Sequence, residues 1–131
     1  MAWLDKTRNG MGCKEEAAVT LPASAVIGYS SVIDFLKPRN DGTNQYVTIV
    51  LTPTAVTGTN LDISLLGAMT SGGDKFTLLD APVADLTADA TAVAGVIDIN
   101  AYPAPFYYIG WTADVNESAN TITVQITPQY N

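Results

Sequence analysis

The sequence has no histidine, one cysteine and only 6 lysine or arginine residues among 131. The absence of histidine removes the commonest general base. It also excludes the usual serine and cysteine triads and most transition-metal sites. One cysteine, Cys13, excludes a disulfide within a single chain and a zinc site built from several thiolates. With 13 acids the net charge is −7, which argues against nucleic acid as a partner because phosphate contacts need clustered bases. We therefore expect no enzyme, no cofactor and no bound metal.

Long apolar runs are also missing. No run approaches the roughly 20 residues that span a bilayer. The apolar start of the chain is interrupted at once by Asp5, Lys6 and Arg8, so it lacks the apolar core of a signal peptide. We expect a product made in the cytoplasm, with no membrane partner.

The charge is unevenly distributed along the chain. Residues 1–39 hold five bases and four acids, a balance of +1, whereas residues 40–131 hold one base, Lys75, and nine acids, a balance of −8. Such a division suggests a leading segment whose surroundings differ from those of the acidic remainder.

The leading segment is predicted to be distinct from the main domain. We place an extended N-terminal arm at residues 1–20 and a single β-sandwich domain at residues 21–131. Residues 14–18 could form one helical turn, but nothing repeats at helical spacing for long enough to make an independent helix. Two interpretations stay open: a frayed terminus, or an arm that orders on a partner with Trp3 as its anchor.

From about residue 25 the sequence has the alternation of β-strands. In residues 121–127, three β-branched apolar residues alternate with four polar ones, which predicts a strand with one buried and one wet face. Residues 106–111 are aromatic and apolar almost throughout, which is typical of a central strand or one covered by another chain. Further strands are predicted around Val47–Leu51, Leu61–Leu65, Phe76–Leu79, Val96–Ile99 and Val32–Phe35.

Turn-forming residues separate these runs. Residues 38–42, 57–60 and 71–74 supply the Gly, Asn and Asp that tolerate positive φ. Seven or eight short strands without a long amphipathic helix indicate an all-β antiparallel sandwich or barrel. Residues 80–95 are ambiguous: residues 85–90 could form a helical turn, although the enrichment in Thr and Val favours a long loop.

Three sets of residues are candidates for catalysis or ligand binding. Asp85 and Asp89 could form the paired carboxylates of a hydrolase, although solvated loop acids are the favoured interpretation. Trp111, with tyrosines 102, 107 and 108, could stack on a sugar, but Tyr107 and Tyr108 point to opposite faces of a strand, so core or subunit contact is favoured. The loop at residues 40–44 lacks the regular acids of a calcium-binding EF-hand.

The order of these segments resembles that of phage capsid cement (decoration) proteins of the Bordetella-phage type. The resemblance covers roughly residues 25–128. It is carried by Ser30–Phe35 after an Ala-rich lead, Tyr46–Thr52, Asn60–Leu66, Phe76–Leu79, Pro105, Tyr107–Trp111 and Thr121–Thr127.

The resemblance implies a jelly-roll fold and a structural role on the virion. A protein of this family binds the outer surface of an icosahedral head and clamps neighbouring major capsid proteins. We expect a homo-oligomer, dimer or trimer, because a flat and weakly charged surface favours closed self-association. The predicted capsid or subunit interface is Trp3, Leu4, Lys6 and Arg8, chosen for the apolar pair and the local bases. The alternative is a receptor- or carbohydrate-binding β-sandwich domain of a phage tail fibre.

Overall fold

A computed structural model of the protein describes residues 3–6, 12–36, 45–83, 85–87 and 91–130. Across these ranges the secondary structure is nine β-strands and one turn of 3-10 helix at Ile99–Ala101. No helix within them has the length and apolar character needed to cross a membrane. The strands are β1 (Leu4–Asp5), β2 (Lys14–Thr20), β3 (Ile27–Tyr29), β4 (Gln45–Pro53), β5 (Leu61–Ala68), β6 (Lys75–Asp80), β7 (Val93–Asp98), β8 (Phe106–Ala113) and β9 (Thr121–Tyr130).

The strands form two antiparallel sheets, so the predicted all-β sandwich class is confirmed. One sheet has five strands in the order β1-β2-β9-β4-β7, and the other has four in the order β3-β8-β5-β6. From β2 onward the pairing is nested: β2 pairs with β9, β3 with β8, β4 with β7 and β5 with β6. The chain therefore passes repeatedly between the two sheets, and their facing surfaces enclose one main core.

The alternating pattern read from the sequence gives the inner face of the five-stranded sheet. Ile122, Val124 and Ile126 are each 0% exposed, which confirms the strand and the buried face predicted for residues 121–127. In the register of β4 with β9, Ile49 lies opposite Ile126 and Leu51 lies opposite Val124. These cross-strand neighbours form one wall of the core.

The aromatic strand β8 is central, as predicted, because it lies between β3 and β5. Its side chains divide between the two faces of the sheet. Tyr107, Ile109 and Trp111 belong to the main core, whereas Tyr108 belongs to a separate cluster with Leu66 and Ala68. The opposite orientation of Tyr107 and Tyr108 is thereby confirmed.

The helical turn expected at residues 14–18 is wrong, because these residues form most of strand β2. This strand pairs with β9, so residues 14–20 are part of the sheet rather than of a separate arm. The register shifts between Glu16 and Val19, where Ala18 takes a φ of 56°. This bulge interrupts the alternation by which a strand is recognised in a sequence.

The opening strand expected at residues 30–35 lies slightly earlier in the chain. Strand β3 is Ile27–Tyr29, and residues 32–35 contribute a single antiparallel bridge between Ile33 and Tyr107. Ile33 is nevertheless fully buried and Phe35 packs against the core.

The ambiguous segment at residues 85–90 contains no helical turn where it is described. Leu86 forms an isolated bridge with Leu61 through two backbone hydrogen bonds, with N···O distances of 2.9 and 3.3 Å. Asp89 lies outside the described residues, as does the predicted turn at residues 38–42.

Candidate interaction surfaces and buried carboxylates

The predicted interface residues Trp3, Leu4 and Lys6 lie at one edge of the five-stranded sheet. Strand β1 pairs with β2, with Leu4 opposite Glu15 and Asp5 opposite Lys14. Side chains alternate along this segment, so Trp3 turns toward the domain while Leu4 is 50% exposed. Arg8, the fourth predicted residue, lies outside the described residues.

Trp3 is held by its own chain. Its indole Nε1 donates to the carbonyl oxygens of Ser31 and Val32 at 3.3 and 3.0 Å. Its ring meets that of Phe35 edge to face, with centroids 5.5 Å apart and an interplanar angle of 80°. Trp3 therefore anchors β1 to the domain, and Leu4 is the apolar side chain of the segment that is presented outward.

The two lysines of this edge pair with acids of the same edge. Lys14 forms a salt bridge with Asp5, and its ammonium lies 5.5 Å from the Phe35 ring centroid. The Lys6 ammonium lies 3.9 Å from a carboxylate oxygen of Glu15. Much of the local positive charge is thus neutralised within the segment.

Glu117 is a buried carboxylate that no pattern in the sequence indicated. It is 0% exposed and lies in the connection between β8 and β9. The Thr57 N–H donates to its two oxygens at 2.8 and 3.0 Å, the Gly58 N–H at 3.0 Å, and the Asn120 side-chain amide at 3.0 Å. Burial acts to raise the pKa of Glu117, but these donors outweigh it and hold the pKa below the ordinary glutamate value.

The Glu117 carboxylate joins three connections at one end of the sandwich. Its side chain binds the β4–β5 connection at Thr57, and its own N–H donates to the carbonyl of Pro22 at 3.0 Å. Nearby, the Thr59 N–H donates to Asp114 at 3.0 Å and lowers the pKa of that exposed carboxyl. These acids therefore stabilise loop geometry and are satisfied by backbone donors.

A second buried carboxylate, Glu16, ties β2 to the segment after β3. It is 1% exposed, and both of its oxygens accept from the Ser31 N–H, at 3.0 and 3.1 Å. The same segment receives the Trp3 indole. Residues 31–32 are thus the point at which the leading strands are fixed to the four-stranded sheet.

Of the two acids considered for catalysis, Asp85 lies within the described residues. Asp85 accepts from the Ile63 N–H at 3.2 Å and lines a shallow groove of about 290 Å³ with Asp62 and Asp80. Within the described ranges, no three His, Cys, Asp or Glu side chains come together as metal ligands would. Cys13 is a half-buried free thiol.

The aromatic side chains weighed for sugar stacking divide between the core and the outer face. Trp111 is 1% exposed and Tyr107 0%, so neither presents a ring to a sugar. The Tyr107 hydroxyl donates to the carbonyl of Tyr102 at 2.8 Å and accepts from the Ala104 N–H at 2.9 Å. Tyr108 alone of this set lies on the outer face of the four-stranded sheet.

That outer face carries a groove of about 410 Å³. Ile27 and Tyr29 of β3 form one side, Leu66 of β5 lies within it, and residues 72–75 with Thr77 form the other side. The Lys75 ammonium lies 4.1 Å from the Tyr29 ring centroid and 4.4 Å from that of Tyr108. The groove therefore combines a cation, aromatic rings and exposed aliphatic surface.

The comparisons with known proteins add no family assignment. No protein-family model matches the chain, and no curated protein matches it significantly.

Proposed function

We propose that this protein is a capsid cement protein that binds the outer surface of an icosahedral phage head and clamps neighbouring major capsid proteins. Its fold is assigned as a jelly roll. The observation that carries the proposal is the nested pairing among the eight strands β2 through β9. Strand β2 pairs with β9, and each further pair lies inside the previous one. Eight strands wound this way into two sheets are the arrangement of the jelly rolls found among viral capsid domains, lectins and cupins.

The segment order in the sequence supports the same assignment. The resemblance to cement proteins of the Bordetella-phage type is carried by segments that fall largely on β4, β5, β6, β8 and β9. These strands supply most of the core, with residues such as Ile49, Ile109 and Ile126 at 1% exposure or less. The resemblance therefore rests on the framework of the domain rather than on its loops.

Binding to a shell needs exposed apolar surface, and the domain presents such surface on both sheets. Leu4 is 50% exposed at the edge of the five-stranded sheet, and Ile27 and Tyr29 are 60% and 46% exposed on the other sheet. A shell repeats one binding site many times, so modest contacts gain strength when linked copies bind together. Copies that bind the assembled shell and not its loosened form stabilise it by mass action.

The leading segment is proposed to contribute part of the shell contact. Trp3 holds β1 in place and Leu4 supplies apolar contact. Lys6, which is also paired with Glu15, and Arg8 remain part of the proposed contact as bases of the leading segment. In this interpretation the arm consists of the residues before β2, because Lys14–Thr20 is paired with β9.

Sedimentation with empty heads tests the proposal. The purified protein should co-sediment with heads that lack it, at a fixed number of copies per capsid subunit. Protein that stays in the supernatant at saturating concentration contradicts the cement function. A tail-fibre domain would show that result and would instead bind glycan or host cells.

Leu4→Asp tests the contribution of the leading segment. Burying a fully exposed leucine contributes about 1.5–3 kcal/mol and Leu4 is already half-buried, so its loss should weaken head binding about threefold to tenfold. Val115→Asp is the matched control, since Val115 is 37% exposed in the β8–β9 connection. Equal head binding by the two variants would remove Leu4 from the interface.

A further inference from the structure

One end of the outer face of the four-stranded sheet is apolar, whereas the other end carries Asp62, Ser64 and Asp80. Leu66 and Tyr108 lie opposite each other in the register of β5 with β8, on the side away from the main core. They form a second cluster with Ala68, against which Val32 and Phe106 pack. By contrast, the outer positions of β9 are mostly threonines and Gln125.

Exposed apolar side chains extend this cluster toward solvent. Ile27 is 60% exposed and Tyr29 is 46% exposed, and both line the groove described above. Adjacent to them, Val26 is 53% exposed. A contiguous apolar patch of this kind marks an interaction site more often than isolated surface residues do.

Lys75 is the basic residue of this face. The Tyr29 and Tyr108 rings meet edge to face, with centroids 5.9 Å apart and an interplanar angle of 72°, and the lysine ammonium lies against both. The Tyr108 hydroxyl accepts from the Gly72 N–H at 2.9 Å, which fixes that ring to the β5–β6 turn. The cation is therefore held in a defined place rather than on a freely moving side chain.

The charge of Lys75 is not balanced by a salt bridge. Among the described residues no carboxylate lies within 4.0 Å of its Nζ, and its one hydrogen bond, to the carbonyl of Gly73, is long at 3.4 Å. It is also the single base in residues 40–131, in a chain whose net charge is −7. The groove thus places an unpaired base beside apolar side chains, with Asp74 as the one acid of its lining, on an acidic protein.

We propose that this groove docks an acidic segment of a partner protein, in which one carboxylate side chain meets Lys75 and neighbouring apolar side chains contact Ile27 and Leu66. Charge complementarity selects the carboxylate, and the apolar lining of the groove selects its neighbours. The inference rests on the proposed function in one respect, since that function makes the partner segment part of a shell subunit. It adds the four-stranded sheet to the shell contact and specifies the chemistry of the contact.

Head binding by three variants forms the first arm of the test. Lys75→Met removes the charge but keeps the stem packed on the tyrosine rings, and it should weaken head binding at least tenfold. Lys75→Arg keeps the charge and should bind within threefold of the original protein. Thr123→Glu makes the same change in net charge on the other sheet and should bind normally. Urea unfolding midpoints should show that all three variants are folded.

A peptide measurement forms the second arm and does not depend on heads. N-acetyl-Leu-Glu-Leu-amide should shift the NMR signals of the Lys75 side chain and the Tyr29 ring, and its Gln analogue should shift them at least tenfold less. Glucuronate is added as a sugar-acid probe. Stronger shifts with glucuronate than with the Glu peptide would indicate a carbohydrate site and overturn the proposal.

The two arms separate failure of the inference from failure of the function. If the original protein and Lys75→Met bind heads equally, the groove is not the shell contact and the inference is overturned while the cement function stands. If the original protein binds no heads, the cement function fails and the peptide arm decides. Selective shifts with the Glu peptide then support an acidic protein partner, and the absence of shifts overturns it.

Discussion

The Glu117 carboxylate binds backbone N–H groups at one end of the sandwich. The substitution Glu117→Gln removes its charge with little change in side-chain shape. In the folded protein its oxygens accept from the N–H groups of Thr57 and Gly58 and from the side chain of Asn120, all at 2.8–3.0 Å. A glutamine side chain keeps one acceptor oxygen and replaces the other with an NH₂ donor. At least one backbone N–H must then face a donor or remain unpaired.

The magnitude follows from the bonds that are lost. A hydrogen bond to a charged group contributes about 1.5–3 kcal/mol, and a buried N–H left unpaired costs about 1–3 kcal/mol. Since the glutamine oxygen keeps part of the network, we expect Glu117→Gln to lower the free energy of unfolding by about 2–4 kcal/mol. With a urea dependence of about 2 kcal/mol per molar, the middle of the usual range, the unfolding midpoint should fall by about 1–2 M at pH 7.

The pH dependence distinguishes the carboxylate charge from simple packing. The pKa of Glu117 is held below its ordinary value, so its charge stabilises the fold above the pKa of the unfolded chain, about 4.3. That stabilisation is lost as the pH falls through the lower pKa of the folded protein. The difference between the original protein and Glu117→Gln should therefore be constant from pH 7 to 5.5 and should shrink below about 4.3.

Urea unfolding, followed by tryptophan fluorescence across this pH range, measures both effects. Asp74→Asn is the control, because it removes the same charge from an exposed residue and should shift the midpoint by less than about 0.3 M. A Glu117→Gln midpoint no lower than that of the control would refute the reasoning. So would a difference between Glu117→Gln and the original protein that stays unchanged down to pH 3.

Two further substitutions test the packing. Gln45 is 0% exposed, and neither polar atom of its amide has a hydrogen-bond partner among the described residues. Gln45→Met should therefore raise the free energy of unfolding by about 1–3 kcal/mol, which would be seen as a higher urea midpoint. An unchanged or lower midpoint would contradict this prediction. Trp3→Ala removes the indole bonds to residues 31 and 32 and the Phe35 contact, so it should cost about 2 kcal/mol, or about 4–8 °C in Tm by calorimetry. A change in Tm below about 1 °C would mean that Trp3 is not docked.

The sequence predicts the framework well where burial alternates without interruption. In the middle of β4 and β9 three successive inward positions are Val, Ile or Leu, so side-chain period alone separates the two faces there. The same period separates Tyr107 from Tyr108. Such strands can be recognised one at a time, because the partner strand does not alter which face is apolar.

Strand β2 could not be recognised in this way. Its inward position at Glu16 is a charged residue, and the bulge at Ala18 shifts the register before Val19. The carboxylate is acceptable there because the Ser31 N–H, which is 15 residues away, donates to both of its oxygens. The burial of Glu16 therefore depends on a tertiary contact that has no local signature.

The Glu117 and Lys75 sites could not be predicted from the sequence for the same reason. Glu117 meets Thr57 from 60 residues away in the chain. The groove around Lys75 draws its side chains from β3, β5, β6 and β8, which become neighbours only through the nested pairing of the sheets. A sequence pattern can identify single strands. These sites depend instead on which strands and loops come together in the folded protein.

The division of charge along the chain takes on a different meaning once the contacts are known. The balance of +1 in residues 1–39 suggested a leading segment with positive charge free for a partner. Lys14 is paired with Asp5, and Lys6 lies 3.9 Å from Glu15, so these bases mainly hold the β1–β2 edge together. Lys75 has no such carboxylate partner in the described part of the chain, and it lies in the acidic region with a balance of −8. Among the described bases, the one that a partner's carboxylate can best engage is therefore Lys75, because a paired lysine would first have to give up its own acid.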